Sequence, residues 1–219
     1  MHATHPRPPD SIKAYTKLGL RLYDPLIVNV VAPHIWGCSP DILVDHYRQH
    51  VTANHADIGV GTGYFLDRCR FPKPTPRVAL MDLNPEALAF AAQRIARYKP
   101  ETYRRNVLEP IAFEAGRFDS VGINYLLHCI PGSIDSKAVA FDHLKALMNP
   151  NAVLFGSTLL QGGVQRSGMA KRLMAVYNKK GIFHNERDDL EGLERALSSR
   201  FRDVVVQVVG CGALFSGRV

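Results

Sequence analysis

The sequence predicts an α/β fold, a mostly parallel sheet with helices on both faces and an antiparallel hairpin at its C-terminal end. Three observations carry this. Short apolar strands alternate with helix-length amphipathic segments between residues 54 and 160, a pattern that implies crossover helices and a parallel sheet. The first predicted strand runs directly into a turn with three glycines, His55-Ala-Asp-Ile-Gly-Val-Gly-Thr-Gly63. The last two predicted strands, Arg202 to Val209 and Ala213 to Gly217, have no helix between them.

Taken in order, residues 1–10 are rich in proline and are expected to be mobile. Residues 11–50 read as helical, with breaks at Pro25, Pro33 and Pro40. Ser39-Pro40-Asp41 is a helix start, with Ser as N-cap and Pro at the first helical position. The helix that follows is expected to place Ile42, Leu43 and Tyr47 on one side. After the glycine turn comes a helix from Tyr64 to Arg70, then a stiff proline-rich loop, 71–76. The second strand is Arg77 to Leu83. Asn84-Pro85-Glu86 opens a helix with a capping side chain, Pro at N1 and an acid in the first turn. Ala87, Leu88, Phe90, Ala91 and Ile95 are expected to form its apolar stripe. The third strand is expected at Tyr103 to Leu108 and the fourth at Phe118 to Leu127. Ser133 is expected to cap one helix reaching Met148, Asn149-Pro150-Asn151 to turn, and Ala152 to Leu160 to form the fifth strand. Helices at Gly168 to Lys180 and Asp188 to Ser199 precede the final hairpin.

A chain of 219 residues is long enough to bury a core and is expected to form one domain, 1–219, with residues 1–50 as a helical cap on a core of 51–219. Four cysteines without Cys-x-x-Cys spacing suggest neither a disulfide framework nor a zinc site, so a reduced cytoplasmic setting is expected. The N-terminus lacks a signal-peptide pattern, and no apolar run approaches the roughly 18 residues of a membrane helix. The net charge of +7 could serve nucleic acid, but the basic residues are scattered and not interleaved with aromatics. It reads as a solvated face.

The glycines fall at 59, 61 and 63, not at the 1, 3, 6 spacing of the dinucleotide fingerprint. Asp57 stands beside the turn, where a pyrophosphate would be repelled and an ammonium group welcomed. An acid, Asp82, ends the next strand. An ordinary glycine-rich turn and an NAD site stay open as alternatives at this point. Asp57-x-Gly59-x-Gly61-x-Gly63 resembles motif I of the class I S-adenosylmethionine-dependent methyltransferases, and later motifs follow in the expected order over residues 54–219. The resemblance implies a Rossmann-like, seven-stranded sheet with an antiparallel C-terminal hairpin, and S-adenosylmethionine as cofactor. It also implies an N-terminal segment that caps the cofactor and helps build the acceptor pocket.

Residue by residue, the resemblance assigns Asp57, Gly59, Gly61 and Gly63 to the cofactor turn. Asp82 would hold both ribose hydroxyls, since a carboxylate accepts two bonds at once. Leu83 would pack on adenine, Asn106 (where relatives carry Asp) would meet the adenine amino group, and the Val107 backbone would reach the same ring. Asn124 would face the methyl-transfer position. Tyr23, Trp36 and Tyr125 are the candidate acceptor-binding residues. The Asn/Asp-Pro-Pro-aromatic motif, a Pro-Cys nucleophile, a paired-Glu loop and a magnesium-binding acid set are all missing after the fourth strand. What remains is metal-free in-line transfer of a methyl group to O, N or S of a small molecule. Residues 20–50, with Gly59-Val-Gly-Thr-Gly-Tyr-Phe-Leu-Asp67 and Leu126-Leu-His-Cys-Ile-Pro-Gly132, resemble enzymes of bacterial and fungal secondary metabolism. His128 is the candidate general base, because it follows the fourth strand and its ordinary pKa near 6.5 suits the task. Nucleic-acid methylation and NAD(P)-dependent oxidoreduction are the alternatives. A homodimer stays open.

Overall fold

The computed structural model describes residues 24–111 and 113–219. Seven strands form one sheet in the order β3-β2-β1-β4-β5-β7-β6. They are β1 (Asn54–Ile58), β2 (Arg77–Asp82), β3 (Glu101–Arg104), β4 (Phe118–Asn124), β5 (Met148–Leu159), β6 (Arg202–Val209) and β7 (Gly212–Arg218). The first five pair in parallel, while β7 inserts antiparallel between β5 and β6. The predicted closing hairpin is therefore present. Chain order reverses between β1 and β4, and the carboxyl ends of these two strands frame the crevice where such sheets bind ligands.

Helices cover both faces because successive side chains of each strand point opposite ways. On one face Val78, Leu80 and Phe155 pack with Tyr47 of α1 (Pro40–His50), Leu66 of α2 (Tyr64–Arg68), and Ala87, Leu88 and Ala91 of α3 (Pro85–Arg94). On the other, Ala56, Ile58, Met81, Val121 and Ile123 pack with residues of α4 (Ile134–Lys137), α5 (Val139–Lys145) and α7 (Leu190–Ser198), including Phe141, Leu144, Leu193 and Leu197. Ser39 and Asn84 cap α1 and α3 as the sequence predicts, accepting from the backbone N–H of Asp41 and Glu86.

Several boundaries differ from expectation. The cap segment is a π-helical stretch, Asp24–Val31, that continues through Ala32–His34, so Pro33 does not break it. On α1 the buried side is Leu43, Val44 and Tyr47, while Ile42 is exposed. β3 begins at Glu101 and ends at Arg104, before the expected Leu108. The cause is Asn106, whose side-chain oxygen accepts the Leu108 N–H at 3.1 Å and folds the chain into a local turn. β4 stops at Asn124 rather than Leu127, because Tyr125 adopts a left-handed backbone (φ +52). A short 3-10 turn, Leu127–Cys129, follows. The helix expected from Ser133 to Met148 is the broken pair α4–α5, and Ser133 makes no side-chain cap. The Asn149-Pro150-Asn151 turn is absorbed into β5 at an irregularity in its pairing with β4. Helix α6 (Gly168–Lys179) stands close to its expected bounds, and α7 starts at Leu190 with Asp189 as its cap. The expectations for residues 1–23 lie outside the described residues.

Candidate active site

The glycine turn leaves β1 with Gly59, Gly61 and Gly63 all at positive φ (71°, 50° and 71°), a backbone that side chains rarely adopt. Two of the three also have no room. A Cβ on Gly59 would stand 2.8 Å from Leu126, and one on Gly63 would stand 3.2 Å from the backbone of Ala91 on α3. A Cβ on Gly61 would meet nothing within 4 Å, so the turn opens there onto free space.

Asp82 closes β2 beside this turn. Its carboxylate accepts the backbone N–H of Asn84 at 2.8 Å and is also held by N–H groups of Val60, Gly61 and Leu83. Burial nevertheless pushes the carboxyl up to about 6, because desolvation outweighs those bonds. Leu83 follows at half-burial. Asn106 is committed locally, donating to Glu109 at 2.8 Å as well as holding Leu108. The Val107 carbonyl accepts from His143 Nδ1 at 2.9 Å, and its side chain joins the core.

Asp57 sits on the α1 side of β1. Its Oδ1 accepts the Tyr47 hydroxyl at 2.9 Å. Asn124, at the carboxyl end of β4 beside β1, is buried. Its Oδ1 accepts the Ser157 hydroxyl from β5 at 3.0 Å, which fixes the amide with Nδ2 turned away from that bond. Nδ2 is buried without a hydrogen-bond partner among the described residues. An orphaned buried donor is costly, and its position at the strand end marks a place for an incoming acceptor.

His128 is fully enclosed. Its ring lies 4.6 Å from the Phe183 ring and 5.6 Å from that of Tyr125. Desolvation, helped by the charge of Lys137, lowers its pKa to about 3 rather than the expected 6.5. Nδ1 accepts the Leu159 backbone N–H at 3.3 Å, which leaves the ring proton of the neutral tautomer on Nε2. Trp36 is buried against Tyr177 and Phe183, at 6.4 and 6.1 Å, and belongs to the wall between the cap and α6. Tyr125 hydrogen-bonds the Cys38 thiol. Tyr23 lies outside the described residues. Its neighbour Asp24 clasps the cap to the glycine turn, accepting from Thr62 Oγ1 at 2.6 Å and pairing with Arg94 of α3.

The sheet thus gathers Asp57, the three glycines, Asp82 and Asn124 along the carboxyl ends of β1, β2 and β4. Comparison with known proteins bears on what this arrangement is for. A methyltransferase-domain family profile matches residues 56–154. Demethylluteothin O-methyltransferase of Streptomyces thioluteus is 44% identical, over 92% of this chain and 88% of that protein. The chain is a class I S-adenosylmethionine-dependent methyltransferase. A physcion biosynthesis cluster O-methyltransferase of Aspergillus chevalieri is 38% identical over 93% and 92% of the two chains. The N-methyltransferase NodS of Bradyrhizobium japonicum WM9, solved with S-adenosylhomocysteine, shares the methyltransferase fold (TM-score 0.58, 15% identity, 93% and 98% coverage).

The residues of this methyltransferase suit S-adenosylmethionine. An open glycine turn and two carboxylates complement a ligand with an ammonium group and ribose hydroxyls. Sequence reasoning missed Ser157, which orients Asn124, and the Asp24–Thr62–Arg94 clasp. It also missed Tyr47 and His55 behind Asp57. The signal for His55 was present: it lies two residues from Asp57 on a strand and so shares its face.

Proposed function

We propose that this methyltransferase acts on a hydroxyl oxygen of a small molecule, with Asp57 and the glycine turn holding the methionyl part of the cofactor and Asp82 its ribose. The observation that carries the oxygen assignment is the Asn124 amide. Its Nδ2 offers a donor at the end of β4, and a hydroxyl or phenolate oxygen can accept it while keeping a lone pair for attack, whereas a neutral amine has a single lone pair, which the attack itself uses. The relatives named O-methyltransferases support the same reading.

S-adenosylmethionine supplies an already activated sulfonium methyl, so the chain's own work is binding, orientation and exclusion of water. Ser157 fixes Asn124, and Asn124 holds the acceptor oxygen. His128, neutral and with its Nδ1 lone pair engaged, serves as a donor and packing group rather than as the base. The hydroxyl proton would leave to bulk solvent as the acceptor oxygen takes the place of the cofactor's sulfur, released as a neutral thioether, on the methyl carbon. Trp36, Phe183 and Tyr125 make the neighbouring wall apolar. Leu83 and the Val107 backbone remain the groups assigned to adenine, with Asn106 behind them.

Matched phenolic and arylamine acceptors, supplied with isotopically labelled S-adenosylmethionine and read by mass spectrometry, test this. Transfer to the phenols is expected, with kcat lowered about tenfold or more in Asn124→Leu while S-adenosylhomocysteine affinity changes little. Transfer to the amines alone, or an unchanged Asn124→Leu, overturns the assignment.

A further inference from the structure

Behind Asp57 runs a line of buried polar groups that the proposed function does not use. Tyr47 on α1 donates its hydroxyl to Asp57 Oδ1 at 2.9 Å. The same hydroxyl lies 2.7 Å from His55 Nε2. His55 Nδ1 in turn lies 2.9 Å from the Ser120 hydroxyl on β4, and Ser120 Oγ accepts the Thr52 backbone N–H at 3.0 Å. Tyr47, His55 and Ser120 have essentially no exposed surface, whereas the Asp57 side chain keeps 10% of its own.

One assignment of protons satisfies the whole line. Ser120 donates to Nδ1, Nε2–H donates to the Tyr47 hydroxyl, and Tyr47 donates to the carboxylate. Every donor then points toward Asp57, so the chain ends on one oxygen of a group whose other oxygen takes no hydrogen bond among the described residues. The sheet makes room for this line. Gly122 pairs with Asp57 across β1 and β4, and a Cβ on it would stand 3.0 Å from Asp57 Oδ1 and 3.2 Å from the His55 ring. Gly122 has ordinary strand geometry, so its lack of a side chain answers to space rather than to backbone strain. Phe155 covers the assembly, its ring 4.9 Å from Tyr47 and 5.7 Å from His55.

A buried carboxylate bonded on one oxygen by a tyrosine that is itself anchored cannot rotate freely. We propose that Tyr47, backed by His55 and Ser120, is a positioning residue that fixes the Asp57 carboxylate with its free oxygen toward the cofactor's ammonium group. The proposal rests on the reading of Asp57 as a cofactor residue. None of the three residues behind it touches the cofactor.

The test compares two ligands. S-adenosylhomocysteine carries the ammonium, while 5′-methylthioadenosine has the same nucleoside and lacks the amino-acid part. Calorimetric titration of wild type, Tyr47→Phe, Ser120→Ala and Asp57→Asn with both ligands is the experiment. Tyr47→Phe is expected to weaken S-adenosylhomocysteine binding at least fivefold and leave 5′-methylthioadenosine within twofold of wild type. Ser120→Ala, at the far end of the line and smaller in its disturbance, is expected to show the same selective loss to a lesser degree. It also keeps the test decisive should Tyr47→Phe fail to fold. Equal weakening of both ligands would make the line a purely structural feature and overturn the proposal. Tyr47→Phe and Ser120→Ala binding like wild type, with Asp57→Asn weakened, would overturn the positioning role alone. Asp57→Asn binding S-adenosylhomocysteine like wild type would overturn the reading of Asp57 and the proposal together.

Discussion

Cofactor affinity should fall steeply between pH 7 and pH 5, and Asp82 should be the reason. A carboxylate can accept two hydroxyl hydrogens only while ionised. Desolvation raises the Asp82 carboxyl to about 6 in the folded, ligand-free protein, against an ordinary value of 3.8. Binding by the ionised form is complete well above 6 and is lost as pH drops through that value. At pH 7.5 nearly all of the group is ionised; at pH 5 only about one molecule in ten is. Affinity for S-adenosylhomocysteine should therefore fall roughly tenfold over this range, about 1.4 kcal/mol. The stability of the ligand-free fold should respond with the opposite sign. The folded chain holds the Asp82 proton more tightly than the unfolded one, so this group's contribution declines as pH rises from about 4 to 6. Calorimetry between pH 5 and 7 avoids titration of the ligand's amino group, and Asp82→Asn isolates the effect. That variant should bind weakly at every pH and with little slope. A flat wild-type profile, or an equal slope in Asp82→Asn, would refute the reasoning.

Two further outcomes follow from buried groups. Lys137 and Asp188 form a fully buried ion pair at 2.5 Å, with Lys137 also donating to the His184 carbonyl at 2.7 Å. Burial lowers the Lys137 pKa and raises that of Asp188. Lys137→Met leaves a buried carboxyl without its partner and should cost about 3–5 kcal/mol by denaturant unfolding; the double variant with Asp188→Leu should recover much of the loss, and a double variant no better than the single would contradict this. His128 stays a neutral imidazole throughout the working range, since its pKa is about 3. The pH–rate profile of His128→Gln should therefore keep the wild-type shape from pH 5 to 9. A wild-type inflection near 6.5 that disappears in the variant would restore it as a base.

The glycine turn and the acids beside it were legible in the sequence because they are built from short-range pieces. Strand, glycine turn and helix succeed one another within 55–68, and the second carboxylate ends the very next strand. Such a pattern needs only local backbone rules to be read. The broken α4–α5 pair and the early ends of β3 and β4 were less visible, since one Asx turn at Asn106 and one left-handed residue at Tyr125 override periodicity. The surroundings of His128 and Trp36 were least legible. His128 looked like a base on its ordinary pKa, and only its burial against Phe183, with a cation nearby, sets that value near 3. Trp36 joined Tyr177 and Phe183 from more than 140 residues away in the chain.

By itself the sequence determined the order of strands and helices, the glycine turn and the acids beside it, because strand alternation, helix caps and positive-φ glycines are properties of neighbouring residues. Only the tertiary structure decided that Ser157 turns the Asn124 amide, that Asp24 clasps Thr62 and Arg94, and that Tyr47, His55 and Ser120 line up behind Asp57. Hydrogen-bond partners and desolvation depend on which distant surfaces the sheet brings into contact, and no local pattern encodes them.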